Sequence, residues 1–135
     1  RFQFDNGGLP AGYELKTGDQ VIAIAVHEDG YSNFAITDMD YIVAMSTITI
    51  DDPAGWYSVP VLPAIYESIT VADPFGINDL YMFAILDSNK NGMPDEGEYI
   101  GYYWDWIIVY FPKKYSITDN INTLDKKLRF TSTTY

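Results

Sequence analysis

With 135 residues, 47% of them hydrophobic, the chain is long enough for one domain spanning residues 1–135 with its own core, and too apolar to be disordered. It has no cysteine, which excludes a disulfide framework and thiol chemistry, and its net charge of −11 repels phosphate backbones and excludes nucleic acid as a natural partner. Twelve tyrosines, seven phenylalanines and three tryptophans favour strands over helices.

Taken in chain order, short apolar segments alternate with turn signals. Residues 5–8, Asp-Asn-Gly-Gly, read as a turn. Residues 21–26, Val-Ile-Ala-Ile-Ala-Val, are apolar on both faces and read as a central strand. Glu28, Asp29 and Gly30 end it. Residues 41–50 alternate most clearly, with Ile42, Ala44, Ile48 and Ile50 on one face and Thr47 and Thr49 on the other. Residues 51–55 make a turn, 56–61 a short strand broken by Pro60, 66–71 another strand, and 73–76 a turn. Residues 80–86 and 99–111 are rich in aromatic and β-branched side chains and read as two strands, with a bend at Asp105. Leu128, Phe130 and Ser132 give a last alternating strand. No apolar run reaches membrane-helix length; the longest, residues 106–111, is strand-sized. Seven or eight strands at this spacing predict an all-β fold, an antiparallel β-sandwich of immunoglobulin-like or prealbumin-like kind.

Between the strands at 80–86 and 99–111 lies Asp-Ser-Asn-Lys-Asn-Gly-Met-Pro-Asp-Glu-Gly-Glu, residues 87–98. It satisfies D-x-[DN]-x-[DN]-G-x5-E, a calcium-loop pattern. Calcium is a hard cation that takes six to eight oxygens. Asp87, Asn89 and Asn91 offer side-chain oxygens at alternate positions, Met93 a backbone carbonyl, Asp95 a direct or water-borne contact, and Glu98 both carboxylate oxygens. Gly92 permits the sharp turn. The flanks are strands rather than amphipathic helices, and Pro94 lacks an N–H, so this is an EF-hand-like loop in a hairpin and not an EF-hand. On these roles Glu98→Gln weakens calcium binding and leaves the metal-free fold intact, whereas Lys90→Ala changes little.

A β-sandwich with Asp87, Asn89, Asn91, Gly92, Asp95, Gly97 and Glu98 between two strands resembles secreted bacterial modules. These are the B-type repeats of serine-aspartate surface proteins and prealbumin-like lipoprotein domains. The match covers about twenty residues including the strand at 81–86, with a looser likeness of residues 117–131 to their final strand. The resemblance implies an extracellular, calcium-stiffened, non-catalytic module.

The remaining signals are weaker. His27, the single histidine, falls at a strand end beside Glu28 and Asp29 and reads as solvent-facing; with one histidine and no cysteine, nucleophilic triads lack support. The acid pairs Asp38 with Asp40 and Asp51 with Asp52 sit in turns, where solvated loop acids are the ordinary case. Residues 1–112 carry three basic groups, Arg1, Lys16 and Lys90, whereas Lys113, Lys114, Lys126, Lys127 and Arg129 crowd the last stretch, as expected if they lie beside acidic neighbours within the fold. Tyr102, Trp104, Trp106 and Tyr110 share one strand parity, with Tyr103 opposite. If exposed, they would form a sugar-stacking platform; if buried, they fill the core. The chain begins at Arg1 rather than methionine, as expected of a processed product or a piece of a larger surface protein. The reading is therefore a non-catalytic β-sandwich module with one structural calcium. It sits outside the cell or at its surface, the periplasm included, as a spacer, adhesion or accessory unit with a protein or glycan partner. The alternative is a carbohydrate-binding module using Trp104, Trp106 and Tyr102.

Overall fold

The computed structural model describes residues 2–5, 8–32, 35–58, 79–103, 115–116 and 126–135. Among these residues lie nine strands: β1 (Phe2–Asp5), β2 (Gln20–His27), β3 (Tyr31–Ser32), β4 (Ala35–Ile36), β5 (Ile42–Thr49), β6 (Asp79–Asp87), β7 (Tyr99–Tyr103), β8 (Tyr115–Ser116) and β9 (Lys126–Thr134). Two 3-10 turns, Glu28–Gly30 and Met39–Tyr41, are the only helical elements described. The fold is all-β. The strands expected at 66–71 and across 104–111, the turn at 73–76 and the bend at Asp105 lie outside the described residues.

The main sheet runs β1-β9-β7-β6-β2-β5, with β8 paired to the start of β6, and β3 and β4 form a separate two-stranded ribbon. Pairing is antiparallel except between β1 and β9, which run parallel. The sheet is therefore mixed. Within the β1–β9 ladder Asp5 stands opposite Arg129, so opposite charges meet on neighbouring strands.

β2 is interior because both its faces are apolar, as its sequence requires. It pairs with β5 on one side and β6 on the other, and its residues from Val21 to His27 are buried. Its alternation feeds two cores. Val21, Ala23 and Ala25 face one, together with Phe2, Phe4, Leu128 and Phe130; Ile22, Ile24 and Val26 face the other, with Phe83, Ile85, Ile100 and Tyr102. Each fully buried valine or isoleucine contributes roughly 1.5–3 kcal/mol of hydrophobic free energy.

Residue size differs between the two faces. Ser46, Ala23, Ala84 and Gly101 lie in one cross-strand row that ends at Phe130. Short side chains there leave room for rings: Phe4 lies 5.8 Å from Phe130, 5.3 Å from Phe2 and 5.6 Å from Tyr57, centroid to centroid. A Cβ added at Gly101 would come within 2.9 Å of the Arg129 carbonyl oxygen, so the glycine permits the close approach of β7 and β9.

Two expectations change. The β2–β5 register shifts between Ala25, opposite Ala44, and Val26, opposite Ile42, leaving Val43 as a bulge. The extra residue reverses the parity before it. Ile42 joins the core of Ile22 and Ile24, while Val43 and Ala44 face the other. His27 is not solvent-facing: it is 2% exposed, stacks on Tyr41 with centroids 5.7 Å apart, and its Nδ1 accepts the Asp29 N–H at 3.2 Å.

Candidate metal centre

β6 and β7 are adjacent and antiparallel, with Phe83, Ala84 and Ile85 opposite Tyr102, Gly101 and Ile100. Residues 87–98 are thus the hairpin connection that the sequence pattern called for. Three left-handed backbone positions let so few residues close on themselves: Lys90 at φ 58°, Gly92 at φ 76° and Gly97 at φ 93°. The carbonyl of Tyr135 accepts the Gly97 N–H at 3.0 Å and its N–H donates to the Glu98 carbonyl at 2.8 Å, which ties the loop exit to the strand beside it.

The two terminal carboxylates are buried, Asp87 at 1% exposure and Glu98 at 5%. Backbone N–H groups satisfy all four of their oxygens. Asp87 Oδ1 accepts from Asn91 at 3.2 Å and Oδ2 from Gly92 at 2.8 Å. Glu98 Oε1 accepts from Ser88 at 2.9 Å and Oε2 from Asp95 at 2.9 Å. Burying a carboxylate is costly unless such partners surround it. The Glu98 geometry corrects the expectation that Glu98→Gln spares the metal-free fold, since the carboxylate is itself a tie across the loop.

The side chains in the middle of the loop converge on one another. Asn89 and Asn91 both donate from Nδ2 to Asp95 Oδ2, at 2.7 and 2.6 Å. Their Oδ1 atoms accept from the N–H groups of Asn91 at 3.1 Å and Met93 at 2.8 Å. The Met93 side chain is 64% exposed.

In kind, this donor set fits a hard cation: five side chains ending in oxygen close one loop. In arrangement it fits less directly. Among the described residues no group of three or more His, Cys, Asp or Glu side chains is arranged to hold a metal ion. Asn89 and Asn91 give their amide N–H groups to Asp95 and their Oδ1 atoms to backbone N–H groups, so these bonds would have to open before the side chains could hold a cation.

The other candidate residues do structural work or are out of reach. Asp38 Oδ1 accepts the Asp40 N–H at 2.9 Å and Asp52 Oδ1 the Ala54 N–H at 3.0 Å, so these acids cap turns. Asp51 Oδ1 accepts the Tyr57 hydroxyl at 2.8 Å, and that hydroxyl also receives the N–H groups of Asp51 and Asp52 at 3.2 and 3.1 Å. The Tyr57 hydroxyl bond, with backbone N–H donation, holds the Asp51 carboxyl below its ordinary range. Burial, with the Asp51 charge, pushes the Tyr57 hydroxyl up. Of the proposed sugar platform, Tyr102 is buried at 4% exposure, and burial raises its hydroxyl pKa; Trp104 and Trp106 lie outside the described residues. Tyr103 faces the opposite core, as its parity required.

Ser88 and Tyr57 were missed as organising residues. Neither stands at a specified motif position, and each acts through a contact ten or about six residues away. Among the described residues no helix is long and apolar enough to cross a membrane. Comparison with protein-family models, with curated proteins and with solved structures finds no match to this chain.

Proposed function

We propose that this chain is a non-catalytic β-sandwich module, secreted or carried at the cell surface, whose hairpin loop at 87–98 takes one structural calcium ion. The observation that carries the reading is the pair of buried carboxylates, Asp87 and Glu98, at the two ends of a loop whose other polar side chains converge between them. Such a loop joins two interior strands of the main sheet. An ion held there by Asp87, Asn89, Asn91, the Met93 carbonyl, Asp95 and Glu98 would stiffen the end of the sheet and do no chemistry.

The sandwich reading rests on the number and spacing of the strands in the sequence; the two apolar clusters on opposite faces of β2 mean that β2 is covered on both sides. The extracellular reading rests on the resemblance to secreted modules; a loop with the affinity of such modules, about 10⁻⁴–10⁻³ M, would be filled outside cells and empty in cytosol. The role is that of a spacer, adhesion or accessory unit, within a larger surface protein, with a protein or glycan as partner.

The test is a thermal melt in excess EDTA against one in millimolar calcium, with magnesium as control. At a ligand concentration a hundredfold above its dissociation constant the native state gains about 2.7 kcal/mol. A calcium-specific rise of several degrees supports the reading; identical melts remove it.

A further inference from the structure

Residues 91 and 92 are Asn-Gly, a step prone to deamidation because glycine leaves its backbone nitrogen unhindered. The reaction is internal. The Gly92 nitrogen attacks the side-chain carbonyl carbon of Asn91. The N–Cγ bond forms, the Cγ–Nδ2 bond breaks, and Nδ2 leaves as ammonia with the Gly92 amide proton. Water then opens the succinimide. Attack at Cγ gives aspartate at position 91, and attack at the backbone carbonyl gives an isoaspartyl linkage.

Every participating group is restrained in this loop. The Gly92 N–H is given to Asp87 Oδ2 at 2.8 Å, and that carboxylate is buried. Its negative charge opposes loss of the amide proton. The carboxamide of Asn91 is fixed at both ends, by the Met93 N–H on Oδ1 at 2.8 Å and by Asp95 Oδ2 on Nδ2 at 2.6 Å. Cyclisation requires the carboxamide to rotate and the Gly92 nitrogen to come free, which breaks three hydrogen bonds at once. Yet Asn91 is itself exposed, so water reaches it as soon as the loop opens.

We infer that Asn91–Gly92 is a modification site locked by the closed loop: opening converts Asn91 irreversibly. The two products act in opposite directions. Aspartate at 91 adds a carboxylate at a candidate ligand position and strengthens the site for a divalent cation. The isoaspartyl linkage inserts a methylene into the backbone and destroys the loop's spacing. The lock belongs to the protein's own hydrogen bonds; only its strengthening by calcium rests on the function proposed above.

The experiment incubates the full chain at neutral pH, folded in EDTA, folded in calcium, and unfolded in urea, and maps the peptides for conversion at position 91. Asn6–Gly7 in the urea sample shows that the conditions support the reaction. Folded protein in EDTA is expected to convert at least about tenfold more slowly than unfolded protein; equal rates overturn the inference. Asp95→Ala, which frees Nδ2, is expected to convert faster than Asp95→Asn, which keeps an acceptor there; equal rates for two folded variants overturn the assignment of the lock to Asp95. Protection in EDTA with no further slowing in calcium leaves the lock in place and counts against the calcium reading alone.

Discussion

Glu98 reaches back across the hairpin to the first residue inside it: its Oε1 accepts the Ser88 N–H at 2.9 Å, while its Oε2 holds the Asp95 N–H at the same distance. The side chain is a clamp on two backbone donors ten and three residues away. Gln at this position offers one acceptor oxygen and one NH2 group. Whichever way it turns, an amide N–H faces a backbone N–H. Glu98→Gln is therefore expected to destabilise the protein in EDTA by about 1–3 kcal/mol and to abolish any calcium-dependent rise in Tm. Urea denaturation in EDTA checks the first, and thermal melts in EDTA and in millimolar calcium check the second. Lys90→Ala, at an exposed position, should stay within about 0.5 kcal/mol of the parent; equal effects from the two substitutions would mean that Glu98 is no clamp.

Gly92 and Gly101 are constrained for different reasons, and substitution separates them. At Gly92 the nearest atom to an added Cβ is Thr47 Oγ1 at 3.8 Å, so space is adequate and only the φ of 76° is strained. Gly92→Ala should cost about 1–2 kcal/mol. At Gly101 the Cβ would meet backbone of Arg129 and Phe130 at 2.9 Å, which side-chain movement cannot relieve. Gly101→Ala should cost a similar or larger amount, about 1–3 kcal/mol, by forcing β7 from β9. Hydrogen exchange distinguishes them: the loss of protection should centre on residues 87–98 in the first and on β7 and β9 in the second.

How far the sequence reveals this molecule depends on whether a feature is local. β2 declares itself because six consecutive apolar residues satisfy two cores at once. The hairpin of β6 and β7 declares itself because aromatic and β-branched runs flank a polar loop of defined length. The turn at 51–55 is legible in its Asp, Pro and Gly residues, and the Gly55 N–H does bond the Asp52 carbonyl at 2.8 Å. What failed to show was non-local. Phe2 and Phe4 alternate with Gln3 and Asp5, yet β1 is a strand because β9 lies parallel beside it and Phe2 bridges Tyr57 on its other side. Ile42 changes face through a bulge at Val43 that no composition marks. His27 is covered because Tyr41, fourteen residues on, folds over it. At the candidate centre the hairpin loop and its polar side chains were legible, whereas the hydrogen bonds of Glu98 to Ser88 and of both asparagines to Asp95 were not, since they depend on how the loop closes.

Tyr57 and Asp51 give the molecule a measurable acid dependence. The Asp51 carboxyl is held below its ordinary range chiefly by the Tyr57 hydroxyl, which donates to Oδ1 at 2.8 Å. A group whose folded pKa lies below its unfolded value contributes stability that is present above the unfolded pKa and is lost as pH falls through the folded one. The contribution of this pair is therefore complete at neutral pH and disappears below the ordinary carboxylate range. Tyr57→Phe removes the donor and lets the Asp51 pKa rise towards the ordinary carboxylate range. The variant should be less stable than the parent at neutral pH, with a gap that narrows on acidification. Part of the gap should persist in acid, because the hydroxyl also accepts the N–H groups of Asp51 and Asp52 whatever the charge on the carboxyl. Urea denaturation of both proteins at neutral and acidic pH, together with a carboxyl titration of Asp51 by NMR, checks the sign. A gap that widens in acid, or an Asp51 titration unmoved by Tyr57→Phe, would place the origin of the shift elsewhere in the 51–57 turn.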